Sequence, residues 1–478
     1  MSLGRAGYRV QGFRLVLVLM SLLAFAARGG AESPKSGAIE LPTDPVLARL
    51  IADSLTARPE LAQACATAKA ERERIGQAGA FPEPMLQLGV QNDGFTSWEV
   101  GKMETSWYSI MASQTFPWPG KRRLRREIAE LGARQAEQNV ARTRLSTEAE
   151  VRKAYLDLML ARDRLALLEQ LDAISKRAAG VAKALYESGT GAQSDLLRAQ
   201  LEISRIRQRR WALQVEADTA TQTLNRLRGH PLDEPITPAV HTVDLPLPAL
   251  TSEAVSVADA LQRSPELASV RAGITQGQRA TSLAHKGYFP DLTLSFGVMP
   301  RGGLPIMWLA TVGFPVPVFA ASRQSRAVAE AEARQSATQS QSRAVEQTLL
   351  LRVAQRGKAM AALLETIRLY RDGLLVQSEA TSESTLSQYE VGKVSFLNVL
   401  EANAGFIADQ DSYLQVLAQA QRLQIDAAAV SLDPVGAPDT SRASGLAPAT
   451  AGTVQVSPSG AGMAAPAPAT NAGAGSGM

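Results

Sequence analysis

The stretch "YEVGKVSFLNVL", Tyr389 to Leu400, is a near copy of "YESGTGAQSDLL", Tyr186 to Leu197. Each copy has Tyr-Glu, a Gly two residues on, and then an Asp or Asn that opens another apolar-periodic run. A glycine with positive φ commonly ends a helix, so each copy predicts a tight reversal between two antiparallel helices. The chain therefore makes the same helical turn twice.

This repeat belongs to a larger internal duplication. "RPELAQACATAKAERERIGQAGAFPEPMLQLGV" (Arg58 to Val90) recurs as "SPELASVRAGITQGQRATSLAHKGYFPDLTLSFGV" (Ser264 to Val298). Each half has the order helix, Phe-Pro, two short alternating runs, Pro-x-Pro, long helix, Tyr-Glu-x-Gly, helix. The same order with only small changes in length indicates two copies of one structural unit. We predict repeats over 45–236 and 253–433, joined by a Pro-rich linker over 237–252.

The helical parts are rich in Ala, Leu, Gln, Glu and Arg, which are good helix formers. No proline occurs from Lys121 to Glu187, and a helix of that length would be about 100 Å long at 1.5 Å per residue. A globular domain cannot bury such a helix, so the pattern predicts long antiparallel hairpins in a coiled-coil-like assembly. The predicted hairpin helices span 121–187, 194–229, 320–388 and 396–432.

The short alternating runs predict two β-hairpins, over 85–115 and 291–314. In "DLTLSFGV" the apolar residues fall on one face and Thr293, Ser295 and Gly297 on the other, which is the pattern of a membrane barrel strand. The predicted membrane-facing residues are Leu86, Leu88, Val90, Leu292, Leu294, Phe296 and Trp308. An aromatic girdle is predicted at Trp98, Trp107, Tyr108 and Trp118. The alternative is an edge hairpin on a soluble periplasmic coiled-coil scaffold.

Two hairpins provide only four strands, and four strands cannot close a barrel. Unpaired backbone N–H and C=O groups cost several kcal/mol each in lipid, so open sheet edges are not tolerated there. If these strands cross a membrane, several chains must share one barrel. Three chains would supply twelve strands.

The beginning of the sequence predicts export from the cytoplasm, and the charge balance excludes one class of partner. Arg5, Arg9 and Arg14 precede a short apolar run and small residues, which predicts a signal peptide over 1–31, cleaved between 26 and 31. Four Arg and no acidic residue lie before Glu32, so 46 basic residues then balance 46 acidic ones. This balance argues against nucleic acid as a partner.

The segment 434–478 is low in complexity and predicted to be disordered. Because Cys65 is the only cysteine, no intrachain disulfide can form.

Over about residues 45–432 the arrangement resembles the TolC family of outer-membrane efflux proteins. The most specific match is the reversal at Tyr389, Gly392 and Ser395. The resemblance implies a mainly α fold with a small β part: a trimeric α-barrel of helical hairpins and a shared twelve-stranded transmembrane β-barrel. It also implies outer-membrane lipid around the barrel, a periplasmic adaptor, and an inner-membrane pump of the RND type.

Two stretches, "FPEPMLQLGVQN" and "QTFPWPGKRRLR", look most like the branch of this family that serves heavy-metal efflux pumps. The predicted function is a passive trimeric duct that exports small molecules or metal ions from the periplasm of a Gram-negative bacterium. A duct of the same architecture for type I protein secretion is the alternative cargo class.

The resemblance also assigns roles at the hairpin tips. Glu401 and Asn398 match the positions whose side chains ring the closed end of the tunnel; the best-known member has Asp at the position of Asn398. Tyr389 and Asp195 match a latch pair, whereas the Arg that reinforces it matches Val394 here. The implied adaptor-contact tip consists of Gly189, Thr190, Ser194, Gly392, Lys393, Ser395 and Phe396.

The sequence carries no motif that predicts an enzyme. No P-loop, HExxH or GxSxG pattern appears, and Gly189-x-Gly191 has neither a third glycine nor a preceding strand. His230, His241 and His285 are scattered along the chain. We therefore predict no catalytic residue, no cofactor and no dedicated metal site.

Overall fold

The structure, a computed structural model, describes residues 44–435 of the 478-residue chain. The predicted signal peptide lies outside the described residues, as does the predicted tail from residue 436 onward. Within 44–435 the chain is mainly helical with four β-strands, which confirms the predicted fold class. None of the described helices is long and apolar enough to cross a membrane.

The two repeats have matching element order. The first contains α1 (Pro45–Ala57), α2 (Pro59–Gly79), β1 (Met85–Gln91), β2 (Trp107–Phe116), α3 (Lys121–Glu187) and α4 (Gln193–Arg228). The second contains α5 (Glu253–Arg263), α6 (Pro265–His285), β3 (Leu292–Arg301), β4 (Leu304–Gly313), α7 (Gln324–Leu369), α8 (Leu375–Glu390) and α9 (Phe396–Ala428).

The second long helix differs from the prediction over 320–388. It begins only at Gln324, because the backbone forms turns in which the amides of Ser322 and Arg323 donate to the carbonyl of Phe319. It is also interrupted by a π-helical segment, Tyr370–Leu374, which separates α7 from α8. The segment contains one glycine, Gly373, but an isolated glycine also occurs within α-helices and does not by itself indicate a π-helical turn.

The last helix was predicted to reach 432 but ends at Ala428. Val430 has φ 49°, the one described residue other than glycine in the left-handed region. Arginines from three other helices donate to the carbonyls at this exit: Arg142 to Ala429 (2.8 Å), Arg263 to Ala428 (2.7 Å) and Arg352 to Leu432 (3.1 Å). These donors satisfy carbonyls that lack an intrahelical partner, so the stop depends on tertiary contacts.

The four strands form one antiparallel sheet in the order β1-β2-β3-β4. The two hairpins therefore join through β2 and β3, where Ala112 pairs with Phe296. Directly opposite residues share a face, and all seven predicted membrane-facing side chains lie on one face and are exposed. Trp107 was wrongly placed in the aromatic girdle: it neighbours Tyr108 in β2 and so stands on the other face.

A polar junction fixes the sheet on the helices. The Lys121 ammonium, at the start of α3, donates to the Asp291 carboxylate and to the carbonyl of Phe289, each at 2.7 Å. The ring of Trp118 stacks on that of Phe289 with centroids 5.1 Å apart. Lys121 and Trp118 belong to the first repeat and Phe289 and Asp291 to the second, so this junction ties the two copies together.

The long helices form a layer. Helix α3 packs against α4 on one side and against α9 on the other, and α9 packs in turn against α7 and α8. The main core lies between α1, α3, α4 and α9, around Leu158, Leu168, Leu224 and Ile407. The outward side of α4 is not covered by this core. Its exposed apolar side chains are Leu197, Leu201, Trp211 and Val215.

One ion pair lies inside this helical layer. The Arg164 guanidinium of α3 donates to the Asp411 carboxylate of α9 at 2.6 Å, and Asp411 is only 1% exposed. Gln415 donates to the second carboxylate oxygen at 2.6 Å, and Arg164 also contacts Glu216 of α4. The pair therefore connects three of the long helices from both repeats.

We predict that Asp411→Asn lowers stability by up to about 3 kcal/mol, because the partly buried Arg164 then loses the charge of the buried carboxylate and keeps only Glu216 as a counter-charge. Thermal unfolding in detergent, followed by circular dichroism, measures the change. The matched control is Glu330→Gln, which breaks an exposed pair with Arg334 and should cost no more than about 1 kcal/mol. Equal shifts in the two variants would contradict the role assigned to the buried pair.

Candidate functional site

Both helical reversals have the same backbone geometry. Gly189 and Gly392 have φ of 77° and 74°. The Gly amide donates to the tyrosine carbonyl three residues earlier (Gly189 to Tyr186, Gly392 to Tyr389), and the next amide donates to the carbonyl five residues earlier. This is the Schellman pattern that ends a helix with a left-handed residue. The predicted pair of reversals is present.

The two reversals differ in their surroundings. Tyr186 is 44% exposed, whereas Tyr389 is 4% exposed and packs against Phe396 with ring centroids 5.4 Å apart. The second reversal docks on small side chains of the first hairpin, and these let the backbones approach closely. They are Ala178 and Ala182 of α3 and Ala199 of α4. The second reversal is therefore the inner one within the chain.

The exposed part of the tip contains most of the predicted adaptor-contact residues. Gly189, Thr190, Ser194, Gly392, Lys393 and Ser395 are all exposed. Phe396 is fully buried, so assigning it to the contact surface was wrong. An apolar residue at the first position of a helix can point inward as readily as outward, and Tyr389 and the alanines of the first hairpin cover this one.

Glu401 and Asn398 lie together on the exposed side of α9. They are three residues apart, which places them on one helical face, and both are exposed. Phe396, Val399 and Asn403 form the buried side of the same helix. The Ser395 hydroxyl donates to the Asn398 side-chain oxygen at 3.0 Å. Glu401 is therefore free to project away from its own chain.

The predicted latch pair is close but not hydrogen-bonded within one chain. The Tyr389 hydroxyl is buried and has no hydrogen-bond partner among residues 44–435. Burial raises the pKa of Tyr389, and the nearby Asp195 carboxylate raises it further. A buried hydroxyl without a partner costs about 1–3 kcal/mol, so the tip contains an unsatisfied donor beside an acceptor that is half-buried.

The neighbouring positions show why the reinforcing Arg is absent. Val394 is half-buried and packs against the apolar tip cluster. Lys393, next to it, is exposed. A charge at position 394 would therefore be desolvated here, and the tip relies on apolar packing at this point.

A buried polar pair above the tip escaped the sequence analysis. The Ser382 hydroxyl of α8 donates to the Asn403 side-chain oxygen of α9 at 2.6 Å, and both residues are buried. Asn403 lies seven residues after Phe396, two helical turns along the buried stripe. A polar residue within an apolar stripe was the available signal, but its partner could be found only from the packing of the two helices.

The histidines do not form a metal centre. His230 contacts the Glu234 carboxylate at 2.8 Å. His241 contacts the Asp163 carboxylate at 2.6 Å, and this hydrogen bond raises the pKa of His241. Within residues 44–435, no cluster of three His, Cys, Asp or Glu side chains could hold a metal ion.

Comparison with known proteins gives consistent matches over both repeats. The profile of the family described as "Outer membrane efflux protein" matches residues 50–230 and 257–430. The nickel-cobalt-cadmium resistance protein NccC of Alcaligenes xylosoxydans xylosoxydans is 25% identical over 334 residues, 68% of this chain and 74% of NccC.

A second relative and a solved structure match over a similar extent. The cobalt-zinc-cadmium resistance protein CzcC of Cupriavidus metallidurans is 23% identical over 351 residues, 72% of this chain and 80% of CzcC. The solved structure of CusC superposes with a TM-score of 0.70 at 20% identity, covering 81% of this chain and 92% of CusC.

Proposed function

The chain belongs to the outer membrane efflux protein family, and we propose that three copies of it form one channel for metal cations. The protein is the outer-membrane channel of a tripartite efflux system and extends into the periplasm. It works together with an adaptor and an inner-membrane pump. In this proposal the pump is of the RND type, and the channel itself is a passive duct that catalyses no reaction.

The sheet supports the trimer because both of its edges are open. The order β1-β2-β3-β4 leaves one side of β1 and one side of β4 without a hydrogen-bonded neighbour in the described chain. The exposed apolar face suits lipid, and in lipid such edges must pair. Pairing β4 of one chain with β1 of the next closes a barrel of twelve strands when three chains take part.

The helical layer also has two edges without a neighbouring helix in the described chain. Its outer edges are α4 on one side and α7–α8 on the other. Exposed apolar side chains lie along both: Trp211 and Val215 on α4, Leu369 and Val376 on α7 and α8. The last two lie on either side of the π-helical segment Tyr370–Leu374. Joining these edges between neighbouring chains would close an α-barrel below the β-barrel.

The trimer predicts that a charge on this seam weakens assembly. We expect native mass spectrometry in detergent to give three chains for the parent and a lower trimer fraction for Trp211→Glu. The control is Ala212→Glu, which adds the same charge at an exposed position of α4 about 100° around the helix from Trp211. A parent that inserts in lipid as a stable monomer would refute the proposal.

Metal cations are the cargo that the relatives support. NccC and CzcC are named for resistance to nickel, cobalt, zinc and cadmium. Protein secretion, the other cargo class, has no comparable support. A periplasmic scaffold without a pore would leave the apolar face around Leu292, Leu294 and Phe296 in water.

We place Glu401 at the narrow end of this duct. In a threefold assembly its exposed carboxylate would form a ring of three around the axis, with Asn398 in the adjacent ring. Three carboxylates that face one axis favour cations. This position suits a channel whose cargo is positively charged.

The ring predicts that Glu401→Gln lowers cation over anion selectivity in planar bilayers and weakens block by multivalent cations. The control is Glu390→Gln, a carboxylate at the end of α8 on the exposed side of the same reversal. Selectivity that Glu401→Gln leaves unchanged would mean that Glu401 does not face the lumen.

We also propose that Tyr389 and Asp195 hold the tip closed in the assembled channel. The buried hydroxyl without a partner and the nearby carboxylate support this, because a movement that brings Asp195 to the hydroxyl would complete a hydrogen bond worth roughly 1.5–3 kcal/mol.

Tyr389→Phe combined with Asp195→Ala should therefore raise the open fraction or the single-channel conductance without changing trimer assembly. The matched control is Tyr186→Phe in the exposed reversal, which should conduct like the parent. If the double variant also conducts like the parent, Tyr389 serves only to pack against Phe396.

A further inference from the structure

The face of the sheet opposite the apolar face carries an unusual group of side chains. It otherwise consists mainly of hydroxyls, amides and glycines such as Ser113, Thr115, Thr293, Ser295 and Thr311, and its other large apolar side chains include Met85, Trp107 and Leu309. Toward the hairpin-turn end of β3 and β4 it carries three methionines: Met111 of β2, Met299 of β3 and Met307 of β4.

The register brings these methionines together. Met299 and Met307 are directly opposite each other across β3 and β4. Met111 pairs with Gly297, so it is the diagonal neighbour of Met299. Directly opposite Cβ atoms lie about 4.5–5.5 Å apart and diagonal ones about 7–8 Å, within reach of long side chains.

Gly297 makes room for this group. A Cβ at Gly297 would lie 3.3 Å from the Cγ atom of Met111, so the Met111 side chain leans over this glycine toward β4. All three methionines are half-buried. Their thioethers are thus partly screened by neighbouring strands yet open to the space beside the sheet.

Packing against lipid does not account for these residues. The lipid-facing side of the sheet is the other one, where Leu294, Phe296 and Trp308 stand. In a closed barrel the methionine face lines the lumen, where an apolar side chain stays near water and gains little from the hydrophobic effect. Leu309 lies beside the three methionines, opposite Gly297, but only the thioethers of this group can act as ligands, and they suit an ion that prefers sulfur.

We propose that Met111, Met299 and Met307 form a transient binding site for soft monovalent cations, Cu(I) or Ag(I), in the lumen of the β-barrel. Thioethers are soft ligands that select Cu(I) over harder divalent ions. The four strands, all within the described residues, contain no Asp, Glu, His or Cys, so Zn²⁺, Co²⁺ and Ni²⁺ would find no matching ligand set.

This inference rests on the proposed function, because only the closed barrel turns the methionine face into a lumen. It also extends that function: the channel would pass soft monovalent cations as well as the divalent ions for which NccC and CzcC are named. A neutral thioether site suits a duct, since conduction requires binding weak enough for the ion to leave. Threefold symmetry would give three such sites in one ring.

The test uses the full-length channel purified as a trimer, with Ag(I) as the probe. Cys65 is an exposed free thiol and would bind silver, so every protein carries Cys65→Ser. Equilibrium dialysis with silver analysis counts bound ions, and X-ray absorption reports whether sulfur surrounds them. The test variant combines Met111→Leu, Met299→Leu and Met307→Leu, which conserve volume and apolar character. The control combines Met159→Leu and Met360→Leu, two methionines on the long helices.

We expect the parent and the control to bind about one Ag(I) per chain with sulfur ligands and the test variant to lose that ion. Micromolar Ag(I), but not Zn²⁺, should reduce single-channel conductance of the parent and leave the test variant unaffected. The single variant Met299→Leu, which perturbs the sheet least, should lose most of the block.

The outcomes separate the two proposals. A trimer that conducts but binds silver equally in the parent and the test variant would overturn the methionine site and leave the channel intact. A parent that binds silver through these methionines but shows no block would also overturn it, because the site would then not face the lumen. Failure of the parent to assemble as a trimer would instead refute the proposed channel.

Discussion

The two unpaired edges of the β-sheet are the main physical constraint on how this chain can assemble. A strand in lipid must hydrogen-bond on both sides, and a four-stranded sheet ordered β1-β2-β3-β4 leaves one side of β1 and one side of β4 open. The helical layer repeats the problem with α4 and α8 at its edges. Duplication explains why both layers have four members: one hairpin of each kind was copied once. Within one chain, neither layer closes into a barrel. In the proposed trimer, the same threefold rotation would close both layers.

The two copies have diverged where the tunnel would narrow. Their backbone turns have the same hydrogen bonds at Gly189 and Gly392, so the geometry of the reversal does not distinguish them. The difference lies in packing: Tyr389 and Phe396 are buried against alanines of the first hairpin, whereas Tyr186 is exposed. A tip built on small contacts and one unsatisfied hydroxyl is held less firmly than the core around Arg164 and Asp411. That contrast suits a duct whose end must move while its wall stays fixed.

In the proposed function, transport of metal ions through the duct would depend on weak ligands. The described residues hold no cluster of His, Cys, Asp or Glu that could retain a metal ion. A carboxylate ring at Glu401 would attract cations by charge, and neutral thioethers farther along would interact only with soft ions. Both kinds of contact leave the cargo free to move on, in contrast to a structural metal site.

The sequence by itself determined the element types, their order and the faces of the strands. Proline-free runs of helix formers predicted α3, and period-two alternation predicted the exposed positions of Leu86, Leu294 and Trp308, because both signals are local to the chain. The same patterns could not reveal the π-helical segment at Tyr370–Leu374, nor the exit of α9 near Val430. The first contains only the isolated Gly373, which an α-helix also tolerates, and the second depends on arginines from three other helices. Only the tertiary structure decided that Phe396 is buried, that Tyr389 lacks a hydrogen-bond partner, and that Met111, Met299 and Met307 are neighbours. Each of these facts is a relation between residues of different elements, and periodicity within one element contains no information about which partner packs against it.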